Sequence, residues 1–375
     1  MRAFWILFLP AAVYQVLAIV AALNHLRRRF IVRRGASGPQ PPVSVLKPLR
    51  GLDPNTAEAF ASQAAQNYPE FELLFGVADD ADPAITEVLR LKERFPDVQI
   101  RLLVGHDALA NGKVAVLSNL AKHARYPVWV VNDSDIKVTP GYLSEVAGPL
   151  ADPSVGLVTC LYRAKAHTLP ACWEALGVAT DFMPSTLVAQ LIGVREFGLG
   201  STLAFRARDL EQAGGFAAIG DYLADDYQLA KRITELGKPA LLSTYTVETS
   251  LGDATWYGGW QHQLRWARTI RASKGGGYSG LPMAHAGLWI LLAFLTGAQG
   301  VALGLLGLRL LSALLGGWIV LGSNLVAGLF WLAPVWDLYS FAIWVASYAG
   351  REVRWRDGAL QIDQQGRILK NEQRR

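Results

Sequence analysis

The stretch VWVVNDSD, residues 128–135, is the most informative segment for the fold of this chain, because it joins a short apolar run directly to two carboxylates. Such a run is typical of a strand that is covered on both faces of a parallel sheet. Asn132, Asp133 and Asp135 follow it at once. Ligands of these sheets bind beyond the carboxyl ends of the strands. The stretch therefore predicts a binding site that contains Asp133 and Asp135, with a solvated turn as the alternative.

Strands and helices alternate ahead of this stretch. The apolar runs predict three earlier strands and three intervening helices: strands at 43–46, 71–78 and 98–104, and helices at 54–66, 83–95 and 113–122. Helices of this length between strands imply right-handed crossovers and a mainly parallel sheet. The predicted fold class is therefore α/β, with a Rossmann-like domain over 43–280.

Polar residues follow the earlier strands as well. Lys47 comes after the first strand, Asp79 after the second, and Lys113 after the third. The first strand is followed neither by a Walker-type phosphate loop nor by a Gly-x-Gly-x-x-Gly motif. A phosphorylated ligand must then be held by side chains and a metal. Mg²⁺ suits this task, since it commonly binds one or two carboxylates together with phosphate oxygens of the substrate.

An acidic pair, Asp225 and Asp226, precedes a run with helical spacing at 227–236. Helix capping and the helix dipole favour acidic residues at such a position. The functional interpretation is a general base that takes a proton from an attacking hydroxyl. The sequence alone leaves both interpretations open.

A third motif, HQLRWAR at 262–268, lies in an amphipathic helix predicted over 257–273. One interpretation is a helix on the membrane surface, with Trp at the interface and Arg toward the head groups. The functional interpretation assigns Arg265 to a departing diphosphate and Trp266 to the wall of an acceptor pocket. The two interpretations are compatible.

The composition points to membrane segments at both ends. Of the 375 residues, 51% are hydrophobic and only 18% are charged, against about 25% charged in soluble domains. Residues 4–23 carry no charge and precede five arginines at 27–34, so we predict an uncleaved membrane anchor over 1–24 and a basic linker over 25–42. The arginine-rich flank favours the cytoplasm. No aromatic platform interleaves with these arginines, so nucleic acid is not an expected partner.

A second apolar block covers 284–350. It predicts two spans, 286–308 and 310–336, joined by a turn at 307–309, and an interfacial or third segment at 338–350. A basic tail over 351–375 follows and also favours the cytoplasmic side. Only two cysteines, Cys160 and Cys172, are present, which excludes a disulfide scaffold.

The order of these motifs resembles that of the ceramide glucosyltransferase family, inverting enzymes of the GT-A class that include bacterial hopanoid-biosynthesis-associated members. The resemblance extends over nearly the whole chain. Its clearest segments are VSVLKPLRG (43–51), ADDADPAI (78–85), NDSDI (132–136), VGLVTCLYR (155–163), LADDY (223–227) and HQLRWARTIR (262–271).

The resemblance implies roles on the side of a UDP-sugar donor. Asp79 would contact the uracil or the ribose. Asp133 and Asp135 would hold the diphosphate through Mg²⁺ or Mn²⁺. Lys113 would lie on the phosphates, and Lys47 is a further candidate for the donor site.

The resemblance also implies roles in catalysis. Asp226, the second acid of the pair that Asp225 begins, would be the catalytic base. Arg265 and Trp266 match the end of the family's Gln/Arg-x-x-Arg-Trp motif, whereas the first position of that motif is His262 here. This departure leaves the first side chain without an assigned role.

The expected function is transfer of a hexose from a UDP-sugar to a lipid hydroxyl, on ceramide or a hopanoid-type acceptor, with inversion. We expect an integral protein of a bacterial-type inner membrane with its catalytic domain in the cytoplasm. A processive polysaccharide synthase and a non-catalytic nucleotide-binding membrane protein are the alternatives. Arg163, Gly200 and Ser201 are candidates near the sugar, although each is equally explained as a packing residue.

Overall fold

The computed structural model describes residues 4–32, 38–355 and 358–369. The strands, in chain order, are β1 (Val43–Pro48), β2 (Phe71–Val77), β3 (Gln99–Val104), β4 (Val128–Val131), β5 (Leu157–Lys165), β6 (Leu203–Arg206), β7 (Ala240–Ser250), β8 (Glu352–Trp355), β9 (Gly358–Ile362) and β10 (Ile368–Leu369). The α-helices are α1 (Leu9–Val32), α2 (Thr56–Ala64), α3 (Ala84–Arg94), α4 (Gly112–Ala121), α5 (Tyr142–Ala147), α6 (Leu169–Gly177), α7 (Met183–Leu191), α8 (Ala207–Gln212), α9 (Asp225–Thr234), α10 (Trp256–Ser273), α11 (Gly275–Tyr278), α12 (Ala286–Leu295), α13 (Gln299–Ala313), α14 (Asn324–Leu329) and α15 (Ala333–Ser347).

The chain forms two compact units. The sheet unit consists of the described residues within Arg33–Tyr162, Arg195–Ser250 and Arg367–Arg375. The helical unit consists of those within Met1–Val32, Arg163–Val194 and Leu251–Gly366. The structure thus divides the chain differently from the continuous domain expected over 43–280.

The reason for the difference is the segment that contains α6 and α7. Within the helical unit, Tyr14 of α1 bonds Ser185 of α7 at 2.9 Å, and Arg309 of α13 donates to the Thr180 carbonyl at 2.9 Å. These bonds tie the segment to helices from both ends of the chain, which sequence spacing does not reveal.

The sheet unit contains seven strands in the order β3-β2-β1-β4-β6-β5-β7. The strands β3, β2, β1 and β4 are parallel, with Val45 of β1 opposite Leu73 of β2 and Val130 of β4. β6 then pairs antiparallel with β4, where Val130 lies opposite Ala204. The expected α/β fold with a mainly parallel sheet is confirmed, and the carboxyl ends of β1 and β4 lie side by side.

Tight packing of α4 on the sheet fixes the start of that helix. Gly76 of β2 permits the close approach, because a Cβ there would lie 2.7 Å from Val116 Cγ1 of α4. On the same side, Trp129 of β4 stacks on Phe216 with ring centroids 6.2 Å apart. Burial of these side chains stabilises the packing of α4 on the sheet by the hydrophobic effect. This packing holds Lys113, in the first turn of α4, beside the end of β4.

The helical unit contains three helices among the described residues that are long and apolar enough to cross a membrane: Ile6–Ile31, Gln299–Val320 and Asn324–Ser347. A bent pair, Gly276–Met283 with Ala286–Leu295, passes the same test with a bend of 48°. The first helix continues to Val32, past the boundary expected at residue 24.

The turn expected at 307–309 is wrong. Arg309 lies inside α13 and is 3% exposed. Its guanidinium donates to both carboxylate oxygens of Asp337 at 2.8 and 2.7 Å, and a charge paired in this way does not have to leave the apolar interior. The chain breaks instead at Gly297 and Gly322, whose positive φ values of 77° and 69° favour glycine. The segment expected at the interface over 338–350 is largely the last turns of α15.

Candidate active site

An acidic cluster around Lys113 forms the candidate site of the sheet unit. Lys113 Nζ lies 2.7 Å from Asp133 Oδ1, just beyond β4, and 3.2 Å from Asp225 Oδ2, at the start of α9. Asp226 follows in the same helical turn. The side chain of Asp133 is 44% exposed, whereas that of Asp225 is 14% exposed. Asp133 therefore offers the cluster's most accessible carboxylate.

The charges in the cluster act on one another. Burial alone would lower the pKa of Lys113, but the carboxylates of Asp133 and Asp225 outweigh it, so its pKa is raised and it remains an ammonium. Burial, together with the charge of Asp225, raises the pKa of Asp226 to about 6. A carboxylate with this pKa is suited to general base catalysis near neutral pH.

Gly200 covers the cluster without blocking it. Its N–H donates to Asp226 Oδ2 at 3.0 Å. A Cβ at this position would lie 3.2 Å from Asp133 Oδ2 and 3.5 Å from Asp226 Oδ2, so glycine keeps the space between the two carboxylates open. Its neighbour Ser201 is buried, with Oγ donating to the Cys160 carbonyl at 3.1 Å, and is a packing residue.

Asn111 positions Lys113 through the cap of α4. Its side-chain oxygen accepts from Lys113 N at 3.0 Å and Val114 N at 3.3 Å, which satisfies backbone donors of the first turn. Its Nδ2 donates to the Tyr222 carbonyl at 2.8 Å, and its N–H to the Gly220 carbonyl at 2.7 Å. The start of α4 is thus fixed to the loop that leads into α9.

Lys47 is turned into the protein rather than toward a ligand. It is 0% exposed, and Nζ donates to Asn132 Oδ1 and to the Asp133 carbonyl, both at 2.8 Å. Burial lowers the pKa of Lys47 to about 8. The family resemblance implies a role for this lysine at the donor site, whereas in the structure Lys47 holds the loop of Asp133.

The side chain of Asp135 accepts hydrogen bonds from β7. Its Oδ2 accepts from Thr249 Oγ1 and, at 3.2 Å, from Ser250 N. Burial and the nearby charge of Asp133 raise the pKa of Asp135. Ser134 donates to Asp53, a carboxylate that follows β1 and that the sequence analysis misses, because an Asp in a polar loop carries no distinguishing signal.

Asp79 lies at the exposed end of β2, where its Oδ1 accepts from Ala81 N at 2.8 Å. Among the described residues, no hydrogen bond or ion pair joins it to the cluster around Lys113. The nearby loop is ordered by Asp82, whose carboxylate accepts from Gly51 N at 2.9 and 3.1 Å. The sheet unit therefore groups Asp133, Asp225 and Lys113 but leaves Asp79 apart from them.

Arg265 and Trp266 lie on α10, in the helical unit. The ring of Trp266 packs between Phe182 and His262, with centroid distances of 5.1 and 4.8 Å. His262 in turn bonds Glu174 of α6. Sequence reasoning misses Glu174, because it lies in an otherwise apolar helix 88 residues from its partner.

The parallel sheet, the Asp-x-Asp at the carboxyl end of β4 and the acidic start of α9 together define the GT-A class of glycosyltransferases. The profile of glycosyl transferase family 21 matches residues 3–368. The chain belongs to this family.

Two curated proteins that are similar to this chain are ceramide glucosyltransferases. Ceramide glucosyltransferase 1 of Caenorhabditis elegans is 31% identical over 208 residues, which cover 55% of this chain and 44% of that protein. Ceramide glucosyltransferase of Komagataella phaffii is 30% identical over 159 residues, covering 36% of this chain and 31% of that protein. The chain thus spans less than half the length of these curated relatives.

The chain resembles a solved structure along most of its length. It is the mannosyltransferase PcManGT from Pyrobaculum calidifontis in complex with GDP-Man and Mn²⁺, with a TM-score of 0.53 and 21% identity. The match covers 90% of this chain and 98% of that one. At this identity the likeness is one of fold.

Proposed function

We propose that the protein transfers a hexose from a UDP-sugar to a hydroxyl of a membrane lipid, with inversion at the anomeric carbon. The observation that carries the proposal is the cluster in which Lys113 joins Asp133 and Asp225, with Asp226 beside them, at the carboxyl edge of the sheet. Sequence similarity to ceramide glucosyltransferases supports a lipid alcohol such as ceramide or a hopanoid polyol as the acceptor.

Asp226 acts as the base in this proposal. A lipid hydroxyl is a poor nucleophile at neutral pH, so its proton must be taken as it attacks the anomeric carbon. The raised pKa of Asp226, about 6, matches that task. A single base at the acceptor favours one direct displacement, and hence inversion.

The leaving diphosphate gains negative charge as the glycosidic bond to phosphate breaks. Lys113 remains charged in its acidic surroundings and would stabilise that charge. The resemblance to the family implies the same role for Arg265. We assign the uracil or ribose to Asp79, which is exposed at the end of β2. Lys47 would contribute by holding the backbone of Asp133 in place.

The residues present fit a divalent cation such as Mg²⁺ or Mn²⁺. Asp133 offers a half-exposed carboxylate, and carboxylate oxygens with substrate phosphate oxygens are what Mg²⁺ prefers. Asp135 has Oδ2 engaged by β7 and would contribute through its other oxygen. The metal would supply electrostatic stabilisation of the departing diphosphate.

Apolar helices at both ends of the chain support a substrate that stays in the bilayer. We place the protein in a bacterial-type inner membrane, with the sheet unit in the cytoplasm, because the arginines after the first apolar segment favour that side.

The test uses the purified full-length protein in detergent with Mn²⁺ or Mg²⁺. UDP-glucose, UDP-galactose and UDP-N-acetylglucosamine are offered with ceramide or a hopanoid polyol, and the products are identified by mass spectrometry. We expect UDP release that requires both metal and lipid, with one hexose on each lipid. Long glycan chains would support a processive polysaccharide synthase instead, and nucleotide binding without UDP release would support a non-catalytic protein.

A further inference from the structure

A shallow cleft in the helical unit lies between α6, the first turns of α10, and α15. Its volume is about 10 Å³, room for one hydroxyl-sized group, and its walls include Trp173, Trp256, Trp336 and Tyr339. The rings of Trp173, Trp336 and Tyr339 contact one another, with centroid distances of 5.1 to 5.9 Å. The proposed function leaves this cleft without a role.

One carboxylate, that of Glu174, lies in this aromatic cleft. Glu174 is 4% exposed. Its Oε1 accepts from His262 Nδ1 and, at 2.9 Å, from Gln263 Nε2. Within the part of the chain that the structure describes, no hydrogen bond reaches Oε2. Oε2 lies on the side of Gly259, which also lines the cleft, so it can accept a hydrogen bond from a ligand there.

Gly259 leaves the way to that oxygen open. A Cβ at this position would lie 3.7 Å from Glu174 Oε2, and a longer side chain would project over the carboxylate. Trp256 and Tyr257, 60% and 62% exposed, lie in the first turn of α10. Amphipathic aromatic rings of this kind are typical of a membrane interface.

We propose that this cleft binds the polar head of the acceptor lipid, with a hydroxyl or amide N–H of the lipid donating to Glu174 Oε2. A carboxylate only accepts hydrogen bonds, so it favours a head group that is rich in donors and carries no negative charge. The indole and phenol rings would cover the apolar carbons next to those donors. This assignment rests on the proposed function, because it identifies the ligand as that reaction's acceptor.

His262 gains a role in this arrangement. It occupies the first position of the motif that ends in Arg265 and Trp266, and its imidazole holds Glu174 Oε1 while its ring packs on Trp266. Oε1 is thereby occupied and Oε2 is directed to the ligand. His262 is a positioning residue, and a glutamine there would retain a donor for Oε1.

Binding is tested without the donor sugar, using a short-chain ceramide that carries a photoreactive group on its acyl chain. After irradiation of the full-length protein in detergent, we expect labelled peptides from α6 and α10. Unlabelled ceramide should compete, whereas ceramide methylated on both hydroxyls and on the amide nitrogen should compete at least about tenfold more weakly, because it has lost every hydrogen-bond donor to a charged acceptor.

Substitutions at Gly259 and Glu174 make the test local. Gly259→Leu should abolish labelling by filling the cleft, while Gly259→Ala, whose Cβ makes only ordinary contact, should label as the wild type does. Glu174→Gln should weaken labelling about tenfold or more. His262→Gln should restore most of the labelling that His262→Ala loses.

Labelling that Gly259→Leu leaves unchanged would overturn the proposal. So would equal competition by methylated ceramide, or competition by phosphatidylcholine, which would indicate a site for a quaternary ammonium in the aromatic cleft. The proposed function is judged separately. Glu174-dependent labelling in a protein that releases no UDP would sustain the cleft and defeat the transferase, whereas lipid glycosylation with normal acceptor KM in Gly259→Leu would do the reverse.

Discussion

Asp226 is held in a fixed position by the backbone around it, because its two oxygens accept from Gly200 N at 3.0 Å and from Tyr227 N at 2.7 Å. Asparagine can keep one of these bonds but cannot take a proton. We therefore expect Asp226→Asn to lower kcat by about 10²–10⁴-fold, with binding of the UDP-sugar retained. Isothermal titration with UDP and a turnover assay measure the two effects.

The pH dependence provides the control for this prediction. Asp226 must be ionised to act, so kcat/KM of the wild type should fall about tenfold per pH unit below its pKa of about 6.

The raised pKa of Asp226 also affects stability. Because the folded pKa lies above the ordinary value of 3.8, protonation of Asp226 stabilises the fold as the pH falls from 6 toward 4, and its ionised form opposes folding at pH 7. Asp226→Asn should therefore melt no lower than the wild type at pH 7, and a large drop in Tm would contradict this account.

Gly200 offers a steric test of the same cluster. In Gly200→Ala the new methyl group would lie 3.2 Å from Asp133 Oδ2, so one of the two must shift by a few tenths of an ångström. We expect turnover to fall about tenfold or more, because small displacements of reacting groups have large effects on rate. Gly141→Ala is the matched control, since a Cβ there meets no atom within 4 Å. Equal turnover in the two variants would show that the space beside Gly200 is not used.

At the scale of elements, the start of α4 should control both stability and activity. Asn111→Ala removes the cap of the helix that carries Lys113 and should lower the free energy of unfolding by about 0.5–2 kcal/mol. Turnover should fall as well, because Lys113 loses its fixed position. Chemical denaturation and the transferase assay measure these effects.

Asn111→Ser separates the cap from the second contact of Asn111. Serine can cap the helix but has no amide to donate to the Tyr222 carbonyl. Stability should largely return in this variant, while turnover should stay reduced if the link to the loop before α9 also matters. A serine variant as unstable as Asn111→Ala would show that the cap is not the source of the effect.

The elements of the parallel half of the sheet could be predicted from sequence almost to the residue. The helix expected at 83–95 is α3, Ala84–Arg94, and the strand expected at 71–78 is β2, Phe71–Val77. Both faces of β1, β2 and β4 are buried, so the sequence carries continuous apolar runs there. The placement of β6 between β4 and β5 was not predictable, because it depends on pairing across some 70 residues, as between Val130 and Ala204.

The directions in which side chains point also could not be predicted from the sequence. The positions of the strand ends predict that Asp133 and Lys113 lie at one edge of the sheet, and in the structure they form an ion pair. Lys47 ends a neighbouring strand, yet its ammonium points inward to Asn132, a choice made by packing. Arg309 looked like a break in a span, since its neutralising partner Asp337 is 28 residues away.

At the scale of the whole molecule, the orientation in the membrane follows from the charges and the number of crossings. The first candidate span, Ile6–Ile31, ends in arginines that favour the cytoplasm. The spans Gln299–Val320 and Asn324–Ser347 are separated by a three-residue break around Gly322. Two crossings return the chain to the side on which it entered, so we expect the tail after α15 on the same side as the arginines.

Reporter fusions in a bacterial host measure this orientation. A green fluorescent protein fused after Arg375 should fluoresce, and alkaline phosphatase fused there should be inactive, because the two reporters fold only in the cytoplasm and the periplasm, respectively. Phosphatase fused after Gly322 should be active, since one crossing separates that point from the tail. An active phosphatase after Arg375 would mean that an odd number of segments crosses after the sheet unit. The bent pair Gly276–Met283 and Ala286–Leu295 would then be a span, and the tail would lie outside.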